Sequence, residues 1–186
     1  SPPLYSSAAS DVYKRQIHSR VRDGEADAFD VARASLSNHF AWFGVEKAFP
    51  SPSLVFRKQG AGYFVAHYYP YSESMSTFVA ECDHQTWQSL GMETMTAEAR
   101  KAVFERVFAP ELDGCKLVSN HSNWRQFPVI RARNWHVGNR VLIGDALSSA
   151  HFSIGSGTRI AMEDAIALAR ALNGSPDDIP VSYTHL

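Results

Sequence analysis

The residues with the clearest chemical potential lie in one run, Asn139 to Leu172. Gly144-Asp145 interrupts a short apolar stretch, Arg140 to Ile143, and the loop that follows closes on Gly155-Ser156-Gly157-Thr158. Ala161, Ala165, Leu168 and Leu172 then recur at helical spacing, and Asn173-Gly174 supplies a stop. A helix start preceded by glycines presents unpaired backbone N–H groups at the positive end of the helix dipole. No side chain there keeps an anionic or electron-rich group away. Asp145, at the tip of the strand, is placed to accept hydrogen bonds from ligand hydroxyls, as acids in nucleotide-binding folds do with ribose. His151, shortly before the glycine pair, is the residue type that exchanges protons near neutral pH.

These residues must be held by a strand, a turn and a helix, and that unit resembles the second FAD-binding motif of the single-component flavin monooxygenases. These are the aromatic-ring hydroxylases related to para-hydroxybenzoate hydroxylase. The matching positions are Gly144-Asp145, Gly155 and Gly157, and Asp164-Ala165. The resemblance implies that Gly144, Asp145, Gly155, Ser156, Gly157 and Thr158 contact FAD, with Asp145 on its ribityl chain. It departs from the family at Ser148, Phe152 and Arg159, where His, Pro and Asn are usual. The string AHFSIGSGT is similar instead to the branch that hydroxylates aromatic acyl-CoA thioesters, such as salicylyl-CoA and 2-aminobenzoyl-CoA. Tryptophan-derived pigment hydroxylases are its relatives. The implied reaction uses NAD(P)H to reduce FAD and O2 to hydroxylate the ring through a flavin hydroperoxide, with His151 or His67 as proton acceptor. The alternatives are a pigment hydroxylase of the same fold and a non-catalytic module with a degenerate flavin fold. A flavin halogenase is disfavoured because its Trp-x-Trp-x-Ile-Pro signature is missing.

Upstream, Asn38 to Gly44, Leu54 to Arg57, Tyr63 to Tyr69 and Met75 to Cys82 are rich in aromatic and β-branched residues. Turn signals such as Gly60-Ala61-Gly62 and Pro70-Tyr71-Ser72 separate them. The spacing predicts an antiparallel meander. Thr96 to Val107 predicts a helix with Thr96 as N-cap, a stripe of Ala99, Val103 and Val107, and Pro110 as terminator. Strand alternation puts Tyr63, Val65, His67 and Tyr69 on one face, and Phe40 with Trp42 on another. In the resembled family this sheet forms a wall of the active site, which makes Trp42, Tyr69 and Phe152 the candidate substrate contacts. Trp124 and Arg125 read as structural anchors, Arg125 also as a partner for a CoA or cofactor phosphate. The expected fold class is therefore α+β: an antiparallel substrate-domain sheet plus the carboxy-terminal strand-loop-helix of an FAD domain.

The 186 residues are 45% hydrophobic and 12% aromatic, enough to bury a core but few for a two-domain enzyme. A net charge of -1 gives no electrostatic case for nucleic acid. The sequence contains no apolar run of membrane-spanning length. Cys82 and Cys115 read as free thiols of a reducing, cytoplasmic setting, and no histidine or cysteine spacing suggests a metal.

The ends look foreign to the rest. Residues 1–16 and 181–186 resemble translated sequencing adapters, which makes the chain an internal fragment. Residues 17–37 are then the tail of an FAD domain after its middle motif, 38–122 the substrate-domain sheet and helix, and 123–180 the returning FAD-domain segment. Ser19, Val21 and Arg22 match the end of that middle motif, although Arg15 and Gln16 stand where its Asp-Gly belongs. The expectation follows that this polypeptide alone holds FAD poorly.

Overall fold

In the computed structural model, which describes residues 18–119 and 121–174, the aromatic alternation of the middle of the chain becomes an antiparallel sheet. The expectations for residues 1–16 and 181–186 lie outside the described residues. Strands β1 (Val31–Val45), β2 (Ser53–Gln59), β3 (Gly62–Pro70), β4 (Ser76–Cys82) and β5 (Leu117–Ser119) take the order β2-β3-β4-β1-β5, and β6 (Arg125–Ala132) also pairs with β1. The meander holds for β2 to β4 but not for the strand before it. β1 lies beside β4, with Trp42 opposite Val79 and Phe43 opposite Phe78. The central place suits β1, because Phe40, Ala41, Phe43 and Val45 are all buried. The strand also starts at Val31 rather than at Asn38. Ala-Arg-Ala-Ser-Leu-Ser-Asn does alternate apolar and polar residues, but it lacks the β-branched and aromatic residues that mark the other strands, and residues 32–37 are all exposed.

The β2–β3 hairpin turns through Gly60, whose φ of +60° suits the first central position of a two-residue turn. One face of the sheet carries Phe64, Ala66, Tyr68, Phe78 and Ala80 into the main core. Against it lie α2 (His84–Ser89), α3 (Ala97–Val107) and the short α4 (Ala109–Leu112). The rings meet edge to face, Phe64 with Phe104 at 5.5 Å and Phe78 with Phe108 at 5.7 Å between centroids, a favoured aromatic geometry. Thr96 caps α3 as expected, its hydroxyl accepting the Ala99 N–H at 3.2 Å. The buried stripe of α3 differs from the expected one: Val103, Phe104 and Val107 are covered, whereas Ala99 is exposed. Pro110 does not end that helix. It occupies the first turn of α4, where a missing N–H costs nothing, and α3 ends with Phe108 N–H on the Phe104 carbonyl. Trp124 is an anchor, packed against Phe43, Trp87 and Phe104.

The chain divides into two compact units, Leu36–Phe127 and, among the described residues, 18–35 with 128–174. In the second of these, α1 (Arg20–Gly24) is capped by Ser19, and β7 (His136–Val137) pairs with β8 (Arg140–Val141). The last helix among the described residues is α5 (Gly157–Gly174). Phe29, Ala132, Leu142 and Leu147 make a smaller core there. The inward stripe of α5 includes Ala161, Leu168 and Ala171, while Ala165 and Leu172 face outward. Among the described residues no helix is long and apolar enough to cross a membrane.

Candidate functional site

Each unit carries its own set of candidate residues. In the unit built from 18–35 and 128–174, the chain leaves Leu142 of the small core and turns at Gly144, φ +57°. Only glycine is suited here, because a Cβ would also stand 3.0 Å from the Cβ of Ala161 on α5. The Gly144 N–H donates to Asp164 Oδ2 at 2.8 Å, so the carboxylate of the later Asp-Ala pair fastens the turn to the helix. Arg22 fastens it from the other side. This guanidinium is fully buried, donates from Nη1 to the Ala146 carbonyl at 3.1 Å, and is paired with Asp23 at 3.0 Å. Its only sequence signal was the match of Val21-Arg22 to the middle motif, and nothing local says that it reaches a residue 124 positions away.

Between these two ties Asp145 is partly buried and makes no hydrogen bond or ion pair among the described residues. Burial pushes its carboxyl above the ordinary value of 3.8. A Cβ placed on Gly157 would lie 3.9 Å from Asp145 Oδ1. The carboxylate therefore stands alongside the bare start of α5. The positive φ in this loop falls at Gly155, +60°, and not at Gly157, so Gly157 matters for space rather than for backbone conformation. Ser156 precedes the helix, its carbonyl accepting the Ile160 N–H at 2.9 Å, and Thr158 in the first turn is exposed.

The loop before Gly155 is held against β6. Ser149 N–H donates to the Ile130 carbonyl, and its hydroxyl accepts from Ile130 N–H and donates to the Pro128 carbonyl. His151 then caps the single turn Phe152–Ile154: its Nδ1 lies 2.6 Å from Ser153 Oγ, and the Ser153 N–H points at it. The imidazole packs on the Phe152 ring at 4.2 Å between centroids. Arg159, one of the departures from the family pattern, faces outward in an i,i+4 pair with Glu163.

In the unit Leu36–Phe127 the face of the sheet opposite the main core gathers the other candidates. Antiparallel partners project to the same side. Val79 faces His67 across one ladder and Trp42 across the other, so His67, Val79 and Trp42 form one row. Tyr69, Thr77 and Gly44 form the next row in one direction, and Val65, Glu81 and Phe40 in the other. The two faces expected separately, that of Tyr63 to Tyr69 and that of Phe40 with Trp42, are thus one surface. His67 Nδ1 is buried without a hydrogen-bond partner, and burial pulls the imidazole below its ordinary 6.5. Arg125 lies over the Phe40 ring at 5.4 Å, and Phe127 is tilted against it. Glu81 on this surface was not singled out from the sequence, although a carboxylate inside the apolar run Phe-Val-Ala-Glu-Cys was a visible signal.

Cys82 offers no rival chemistry. Cys82 is buried beside Met92, its thiol pushed up to about 12, which leaves no thiolate near neutral pH. Among the described residues there is no cluster of three or more His, Cys, Asp or Glu suited to a metal ion.

No protein-family model matches the chain. It is 40% identical over 171 residues, 88% of its length, to salicyloyl-CoA 5-hydroxylase of a Streptomyces species, covering 33% of that protein. It is 40% identical over 146 residues, 78% of its length, to protodeoxyviolaceinate monooxygenase of Chromobacterium violaceum, covering 39%. In fold it is similar to PqsL of Pseudomonas aeruginosa, described as a probable FAD-dependent monooxygenase. That match has a TM-score of 0.60 at 20% identity and covers 88% of this chain and 47% of that one. The chain spans 33 to 39% of the length of these two curated relatives. Over that shared length it is a homologue of salicyloyl-CoA 5-hydroxylase and related monooxygenases, and it carries part of the FAD-dependent monooxygenase fold.

Proposed function

We propose that this chain is part of an FAD- and NAD(P)H-dependent monooxygenase that hydroxylates an aromatic acyl-CoA thioester with O2. One observation carries the cofactor half: the unpartnered Asp145 carboxylate beside the bare helix start at Gly157. A polyol ligand with an electron-rich ring fits this pairing of acceptor and donors. The carboxylate takes hydroxyl protons, and the N-terminal N–H groups of α5 face negative charge. Gly144, Asp145, Gly155, Ser156, Gly157 and Thr158 would hold the flavin. When bound, FAD supplies the redox chemistry that activates O2.

This chain's own residues bind, orient and exchange protons. Half-buried His67 and Trp42, flanking the buried Val79, with Tyr69 beside them, offer a flat wall to an aromatic ring. His67 is the better proton acceptor. Burial keeps its ring neutral near pH 7 and its Nδ1 has no partner, whereas the Nδ1 of His151 is taken by Ser153. His151 then serves as a donor from Nε2 and as the cap that fixes Phe152 as a further ring contact. The 40% identity to salicyloyl-CoA 5-hydroxylase supports the thioester class of substrate. The equal identity to protodeoxyviolaceinate monooxygenase keeps the pigment hydroxylase as the second reading.

The test is a product assay on the full-length protein that contains this chain, with salicyloyl-CoA, 2-aminobenzoyl-CoA and indole compounds side by side. Mass gain of one oxygen on a thioester, dependent on NADH or NADPH and FAD, is the expected result. Turnover of the indole compounds alone would move the substrate to the pigment branch. Turnover of neither, by a protein loaded with flavin, would refute both.

A further inference from the structure

The sheet surface just described holds one nearly buried charge with no role so far. Glu81 is 7% exposed and sits between Val65 and Phe40, one row from the line of His67, Val79 and Trp42. It is therefore the diagonal neighbour of both His67 and Trp42, at a typical Cβ separation of roughly 7–8 Å. Asn38 Nδ2 donates to Oε1 at 2.7 Å, while Oε2 makes no hydrogen bond or ion pair. Oε2 is not among the fully buried atoms that lack a partner, so this oxygen reaches the surface of the sheet face and is open to a donor from outside. His67 Nδ1, on the next row, is also unpartnered. A carboxylate oxygen that reaches the surface beside Phe40, Trp42 and the His67 imidazole matches a flat ring bearing a hydrogen-bond donor.

We propose that Glu81 is a specificity-determining residue, its Oε2 accepting a hydrogen bond from a hydroxyl or amine on the aromatic ring of the substrate. This rests on the reading of the second sheet face as the substrate wall. Asn38 is the positioning residue, since its amide fixes which oxygen remains for the ligand.

The chemistry makes the substitution Glu81→Gln informative. With its oxygen on Asn38 the new side chain turns an amide N–H toward the ring, and with the Asn38 amide flipped it leaves only a neutral oxygen there, so either way the charged acceptor is lost. The experiment is equilibrium binding by calorimetry to the full-length protein that contains this chain, wild type and Glu81→Gln, with folding checked by circular dichroism. One probe series is salicyloyl-CoA, 2-aminobenzoyl-CoA and benzoyl-CoA. The other is salicylate, 2-aminobenzoate and benzoate. In each series the last member lacks the ring donor. Wild type should prefer the donor-bearing rings over the plain ring by roughly tenfold or more, the worth of one hydrogen bond to a charged acceptor. Glu81→Gln should lose that ratio while binding the plain ring as wild type does. An unchanged ratio in Glu81→Gln overturns the proposal. So does a wild type with no preference, an arm that needs no variant to fold. Which series binds tests the thioester reading separately: binding of the free acids alone sinks the acyl-CoA substrate but leaves Glu81 tested on the ring. Binding of neither overturns both.

Discussion

Replacing Asp145 by Asn should make the protein more stable and a worse flavin binder at the same time. The side chain is partly buried and unpartnered, and burial holds its pKa above 3.8. The folded state therefore binds the proton more tightly than the unfolded chain does. For a carboxyl with a raised folded pKa the stability is highest below the unfolded value and falls as pH rises from there to the folded pKa; above that it stays at the lower level. At neutral pH the wild type carries the whole cost, and Asp145→Asn, which keeps the shape and removes the charge, relieves it. The melting temperature of the variant should exceed that of wild type at pH 7, and the gap should close as the pH is lowered toward 4. In flavin binding the sign reverses. Losing a charged acceptor for ligand hydroxyls costs about 1.5–3 kcal/mol, roughly a 10- to 150-fold weaker Kd. Thermal melts between pH 4 and 8 and a flavin-fluorescence titration of the full-length protein measure the two halves. A variant that melts below wild type at pH 7 would show that Asp145 has a stabilising partner, and an unchanged flavin Kd would remove it from the cofactor site.

The two loop glycines should respond differently. Gly157→Val places its side chain beside Asp145 Oδ1 without a positive φ, so it should leave the melting temperature nearly unchanged, yet release flavin on gel filtration. Gly155→Val must adopt φ near +60° and should lose about 1–2 kcal/mol in urea unfolding. Arg22→Met leaves the Ala146 carbonyl without its guanidinium and should cost about 1–3 kcal/mol, with amide exchange rising first around residues 144–147. His39 and His67 both have lowered pKa values, by burial first and, for His39, by His84 next. Since a depressed folded histidine pKa means that the unfolded chain binds protons more readily, stability should fall as pH drops below 6.5. His39→Phe, which keeps the stack on Trp87 at 4.2 Å, should flatten part of that slope. A pH-independent urea midpoint in wild type would contradict the reasoning.

The sequence by itself determined what short-range stereochemistry controls. Gly144 and Gly155 sit at positive φ, which glycine adopts freely, and the Thr96 hydroxyl caps its helix, so each is set by a residue type that meets a local backbone need. The period of two in β3 was enough to put Tyr63, Val65, His67 and Tyr69 on one face. Motif spacing brought the loop from Gly144 to Thr158, the proposed flavin site, into view because its parts are close along the chain. The tertiary structure decided everything that depends on partners far apart in sequence. Strand order is one case: nothing in the residues of β1 says that it lies beside β4, because pleating fixes which side chains share a face but not which strand is the neighbour. That pairing turned Trp42 and His67 from candidates on separate strands into members of one row, and it brought Glu81 to the same surface. Arg22 on Ala146 and Asp164 on Gly144 are the other cases. A buried guanidinium or carboxylate is tolerated only where distant backbone groups satisfy it, and the fold alone supplies those groups.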